Sequence, residues 1–243
     1  MSNLETLDRK AVRKDILLLI IPVVLESIFG ILSEIVTAGL VGRLSALAVA
    51  AQGISVRVTS LLNVLWTGVR VGSMVYYVRL IGEARYGELK QGYKNICTVT
   101  IGIALVFSLV IFLFPTQIVK FFTSDPELVP AARDYVQIVI ISLSAWVLIK
   151  MNAAMFNAMG DTRTPMYMQV LLNVINIGVG YLLIFVLKMD FYGAAIATAV
   201  SQVGAVIVST TLLFRKKYFK EAGRTSWKIA SKESIKDTFV KAI

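Results

Sequence analysis

A continuous apolar run over residues 15–42, DILLLIIPVVLESIFGILSEIVTAGLVG, constrains this chain more than any other feature, because it is long enough to cross a bilayer and holds Glu26 and Glu34 inside it. About 20 apolar residues span a hydrocarbon core, and a charge near its middle costs roughly 2.5–3.5 kcal/mol on insertion scales. Acids at that depth face a bundle interior or a wet cavity and mark an ion path. On a helix, Glu26, Gly30, Ser33, Glu34 and Thr37 fall at about 0, 40, 340, 80 and 20°. They form one polar stripe, and the rest of the chain reads as the wall it faces.

Five further apolar segments follow. They lie at about 48–81, 96–114, 135–158, 166–187 and 191–214. Hydrophobic residues make up 57% of the 243 and charged residues 16%, and the mean hydropathy is +0.75. An ordinary soluble domain is less apolar and more charged. The sequence therefore predicts an all-α, polytopic membrane protein with six transmembrane helices. The first run is read as a span rather than a cleavable leader. Residues 1–14 read as a cytoplasmic N-terminal tail, 15–214 as the six-helix lobe, and 215–243 as a basic amphipathic segment suited to the headgroup layer.

A net charge of +10 would suggest nucleic acid in a soluble protein, but here its placement points to the lipid bilayer. Of the 25 Lys and Arg, 18 fall in the two tails and the second and fourth loops. Four fall in the other loops (Arg43, Lys120, Arg133, Lys188) and three inside spans (Arg57, Arg70, Lys150). The positive-inside rule then puts both termini in the cytoplasm, in a multi-pass protein of the cell membrane. One cysteine and no histidine argue against a disulfide framework, a zinc site or His-based catalysis. No nucleophile–base pair or phosphate-binding loop is visible, so the chain is read as no enzyme, with no cofactor and no metal.

The second span contains Arg57, Asn63, Thr67 and Arg70; the two arginines either snorkel to the interfaces or pair with Glu26 or Glu34. The third is uniformly apolar and reads as a lipid contact. In the fourth, Lys150 and Asn157 share a face, and a buried lysine neutralises or pairs with a carboxylate, as a fixed ion pair or as one remade during transport, unless it snorkels. Ser124-Asp125-Pro126-Glu127 has helix-start residues. Gly160 to Pro165 reads as a stop, a cap at Thr164 and a new first turn, making the fourth and fifth spans an antiparallel hairpin. In the fifth span Gln169, Asn173, Asn176 and Gly180 lie at about 0, 40, 340 and 20°, a second stripe, read as interhelical glue or as cavity lining. Gly193 and Ala197 open the sixth span at a spacing that permits close helix approach.

Val41-Gly42-Arg43-Leu44, Gly160-Asp161-Thr162-Arg163-Thr164-Pro165, Asn173 through Asn176, and Gly193-Ala194-Ala195-Ile196-Ala197-Thr198 together resemble the multidrug and toxic compound extrusion (MATE) family, over about residues 15–243. The resemblance implies a two-lobed transporter of about twelve helices that expels cationic or amphipathic compounds in exchange for protons or sodium. This chain looks like the first lobe, whose partner would be a second lobe or a second copy. Where the family commonly has an aspartate five residues ahead of the motif glycine, this chain has Thr37. Where the proton-coupled archaeal branch has a second acid, it has Gly180. Asn176 and Thr198 match positions of that branch's site.

The expected function is thus a secondary antiporter, or its N-terminal half, exporting an organic cation or amphipathic drug. Glu26 and Glu34 are the coupling residues for H+ or Na+, and Thr37, Lys150, Asn157, Gln169, Asn173, Asn176 and Thr198 line the cavity. Arg57 and Arg70 are the candidate ion-pair partners. Alternatives are a flippase for lipid-linked precursors and a half-transporter that does not transport alone.

Overall fold

The computed structural model describes residues 9–221, and the segment expected to form an amphipathic helix at 226–243 lies outside that range. Helix α1 (Arg9–Gly42) carries the first acidic stripe and starts inside the stretch read as a polar tail. A turn over 43–45 reverses the chain, with the Leu44 amide donating to the Val41 carbonyl at 2.9 Å. Ser45 caps helix α2 (Ala46–Gly82) by accepting from the Ala48 amide at 3.1 Å.

The basic stretch after α2 is mostly helical. Only residues 83–85 turn, with Ala84 at φ +56°, before α3 (Tyr86–Leu113) begins. The third span is therefore longer than the apolar run and not uniformly apolar: Tyr93, Lys94 and Asn95 are buried in its first turns. A short helix, α4 (Pro115–Phe122), lies at the far end.

The fourth span is two helices, α5 (Leu128–Ile141) and α6 (Leu143–Ala158), bent by 48° at Ser142. Nothing in its apolar pattern marks the break. The Ser142 hydroxyl donates to the Val139 carbonyl at 2.8 Å, a local bond that competes with the helical ladder.

Gly160 takes the left-handed conformation, φ +75°, which ends α6 as a C-terminal glycine does. Thr162 stands at the N-cap of α7 (Arg163–Tyr181) with no side-chain bond, and the residue before it, Asp161, rather than Thr164 satisfies the helix start: its carboxylate accepts from the Thr164 amide at 3.0 Å and hydroxyl at 2.7 Å. A π-turn (Leu182–Val186) continues α7. Gly193 then packs against that turn, where an added Cβ would lie 3.0 Å from Leu183 Cβ. Helix α8 (Asp190–Arg215) and a short α9 (Lys217–Glu221) complete the described chain.

Among the described residues, five helices are long and apolar enough to cross a membrane, and six spans result if the bent pair counts as one. No strand occurs among the described residues. One core cluster joins α2, α3, α5 and α6 around Trp66, Ile140 and Val147. A second gathers the aromatic rings of Tyr76, Tyr77, Tyr93, Phe156 and Phe219 with aliphatic side chains at one end. There Lys216 pairs with Asp161 at 2.5 Å and Tyr86 meets Tyr218, so the basic loops share that end. At the opposite end Tyr192 donates to Asp134 at 2.9 Å.

Candidate functional site

The polar stripe of α1 faces a cavity of about 250 Å³ walled by α2, the bent fourth span, α7 and α8. Glu34, Thr37, Lys150, Gln169, Asn176 and Thr198 all line it. At its floor the Asn176 amide donates to the Thr198 hydroxyl at 3.3 Å. The Thr37 hydroxyl lies 3.0 Å from Asn176 Oδ1 and 2.8 Å from the Ser33 carbonyl, and its single proton serves one acceptor at a time. This uncharged knot ties α1, α7 and α8 together where the family pattern would place an aspartate.

Of the two carboxylates, Glu34 lines this cavity and Glu26 does not. A second cavity of about 260 Å³ is lined by Glu26, Glu34, Asn63, Arg70, Lys150 and Gln169 among others. It shares Gly30, Glu34, Asn63, Lys150 and Gln169 with the first, so the two are adjoining parts of one inner surface. Glu34 is exposed to this space; Glu26 is half-buried, with one carboxylate oxygen shielded and without a hydrogen-bond partner. Among the described residues no ion pair within 4.0 Å joins Glu26, Glu34, Arg70 or Lys150. The Lys150 ammonium instead lies 5.3 Å from the centroid of the Trp146 ring, within cation–π range.

The remaining expected residues stand apart. Asn173 is structural in its contacts: its amide donates to the Phe29 carbonyl at 2.7 Å, fastening α7 to α1, and its oxygen accepts from Gln169 at 3.3 Å. Asn157 is half-buried and lines neither cavity. Arg57 is exposed and lines neither, as a snorkelling side chain would be, whereas Arg70 reaches the second cavity.

Sequence reasoning missed the α2 wall, where Gln52, Ser55, Thr59 and Asn63 face the first cavity. These fall at about 0, 300, 340 and 20° on a helix, a stripe narrower than that of α1 and wider than that of α7. Two arginines in the same span drew attention from it. Tyr135, Trp146 and Gln202 also face the cavity; Gln202 lies one turn beyond Thr198 on α8. The site thus offers two carboxylates, two cations, an indole face, and amide and hydroxyl groups.

Comparison with known proteins agrees with this architecture. The MatE family model matches residues 22–182. The chain belongs to the MATE family. This MATE chain is 25% identical over 229 residues to the probable multidrug resistance protein NorM of Thermotoga maritima, covering 92% of this chain and 49% of that protein. It is 23% identical over 215 residues to the probable multidrug resistance protein YoeA of Bacillus subtilis, covering 86% and 46%. Among solved structures, the Vibrio cholerae MATE transporter VcmN in its bent form superposes with a TM-score of 0.84 at 15% identity, over 96% of this chain and 52% of that one. A MOP superfamily transporter from Pyrococcus furiosus gives 0.80 at 20% identity, over 94% and 51%. This MATE chain therefore spans about half the length of the relatives it matches.

Proposed function

We propose that this chain forms one lobe of a secondary drug-efflux antiporter, which expels organic cations or amphipathic compounds in exchange for H+ or Na+. The observation that carries this reading is the placement of Glu26 and Glu34 on one inner surface that also bears Trp146 and the Asn176 knot. A carboxylate that holds an ion in one conformation and a drug cation in another biases the bundle between two states, to the extent that each ligand prefers one of them. The names of the T. maritima and B. subtilis relatives support drug export as the task. A site between lobes needs both halves, so the second lobe comes from a longer polypeptide or from a second copy.

The test is ion-driven efflux of a cationic dye from cells or vesicles bearing the two-lobed protein. Glu34→Gln is expected to abolish gradient-driven efflux at unchanged expression. Wild-type rates in both Glu26→Gln and Glu34→Gln would overturn the coupling assignment.

A second reading has one observation in its favour. Arg70 and Lys150 line the same cavity as the acids and suit a phosphate headgroup, as in export of a lipid-linked precursor. Loss of precursor export without change in drug resistance, on removal of the protein, would favour it.

A further inference from the structure

A lysine inside a cavity read as a cation site is at odds with that reading unless it has a task there. Lys150 lines both main cavities, and with Glu26 and Gln169 it also lines a third, of about 20 Å³, between α1, α6, α7 and α8. Among the described residues it is the one cation that lines all three of these spaces. Its ammonium is not spent on a carboxylate: it rests over the Trp146 ring at 5.3 Å, while Glu26 keeps a shielded oxygen without a partner. An indole face is the best side-chain seat for an organic cation, and here that seat is taken.

The geometry points to Lys150 as a tethered competitor for the drug-cation seat: the ammonium occupies the Trp146 face in the empty cavity, must leave it for an organic cation to bind, and returns when the ligand departs. This rests on the reading of the cavity as a cation site. The flexible four-carbon stem lets the ammonium swing off the ring within a cavity that also presents Glu26 and Glu34. Charge balance points the same way. Glu26, Glu34, Arg70 and Lys150 are the charged side chains facing the second cavity and cancel formally, so an incoming cation adds uncompensated charge, which removing the Lys150 charge offsets. Occupancy of the seat lowers the ligand's apparent affinity by the fraction of time the seat is free. Lys150 is on this account a specificity-determining residue that keeps binding weak enough for release.

The test is calorimetric titration of the purified two-lobed protein in detergent with tetraphenylphosphonium. Lys150→Gln is expected to bind about tenfold more tightly than wild type, from loss of the competing cation–π contact. Lys150→Arg, which keeps a cation at the ring, is expected to stay near wild type. In a Trp146→Leu background the gain from Lys150→Gln should disappear, as coupling between the two residues requires. Equal or weaker binding by Lys150→Gln, while wild type binds and Glu34→Gln does not, overturns the competitor and leaves the cation site standing. Absence of binding in every form, wild type included, removes the cation site and the inference with it. A measurement on the wild-type chain stands in if the glutamine variant does not fold. After reductive ¹³C-methylation, the Lys150 methyl resonance, assigned by its loss in Lys150→Arg, should be shifted by the indole ring current. It should return to an ordinary lysine position at saturating tetraphenylphosphonium, and a resonance that is ordinary from the start, or does not move as the ligand binds, overturns the proposal.

Discussion

Asn152 is fully buried and uses its whole side chain. Its oxygen accepts from the Tyr93 hydroxyl at 2.5 Å, and its amide donates to Ser209 and Thr210, each at 2.9 Å, joining α3, α6 and α8. Leaving a buried polar group unsatisfied costs about 1–3 kcal/mol. Asn152→Ala, which takes this acceptor from Tyr93, is expected to lower the melting temperature in detergent. Ser209→Ala, which leaves Thr210 as an acceptor, should lower it less. Gly92 is equally intolerant for a steric reason: an added Cβ would sit 2.5 Å from Tyr76 Cε1. Gly92→Ala should destabilise in the same assay, and Tyr76→Leu, which lacks that ring edge, should relieve it. Neither position is legible in the sequence. Asn152 falls about 200° from Lys150, off the face that Lys150 and Asn157 share, so no periodicity betrays it, and its partner Tyr93 falls in a stretch whose lysines read as a loop. Glu26, Glu34, Asn173 and Asn176 stood out because acids and amides at helical spacing are costly in lipid unless they face inward.

At the level of elements, spans were legible and their irregularities were not. Apolar length locates α2, α7 and α8 to within a few residues, but α1 and α3 begin well before their apolar runs, and nothing in the periodicity marks the 48° bend at Ser142. The Gly160–Pro165 link shows both sides of this. Its glycine stop was readable from residue type, whereas its cap depended on knowing that Asp161 points at Thr164 and at Lys216. Burial alone would raise the Asp161 carboxyl, but hydrogen bonds from Lys216 and Thr164 outweigh it and hold the group below its ordinary range. A depressed folded-state value means that the contribution is complete above the unfolded carboxyl's value near 3.8 and is lost as pH falls through the folded one. The pair is partly exposed, so the contribution is small. Asp161→Asn should therefore lower the melting temperature modestly near pH 7, and the gap to wild type should close as the pH is taken below about 4.

Across the whole molecule the burial is uneven. In the apolar window of α1 only 6% of residues are buried, against 39% for α2. Leu40 and Val41 pack α1 into a small core cluster, and side-chain bonds add to its seat on α7, Thr37 to Asn176 and Asn173 to the Phe29 carbonyl. Amide exchange over residues 20–36 should accordingly be faster than over α6, and Asn173→Ala should speed it further; equal protection of the two helices would contradict this. Local opening free energy tracks buried apolar contact. The two acids thus ride together on the least buried of the five long helices described, so any displacement of that one strut re-aims both carboxylates at once.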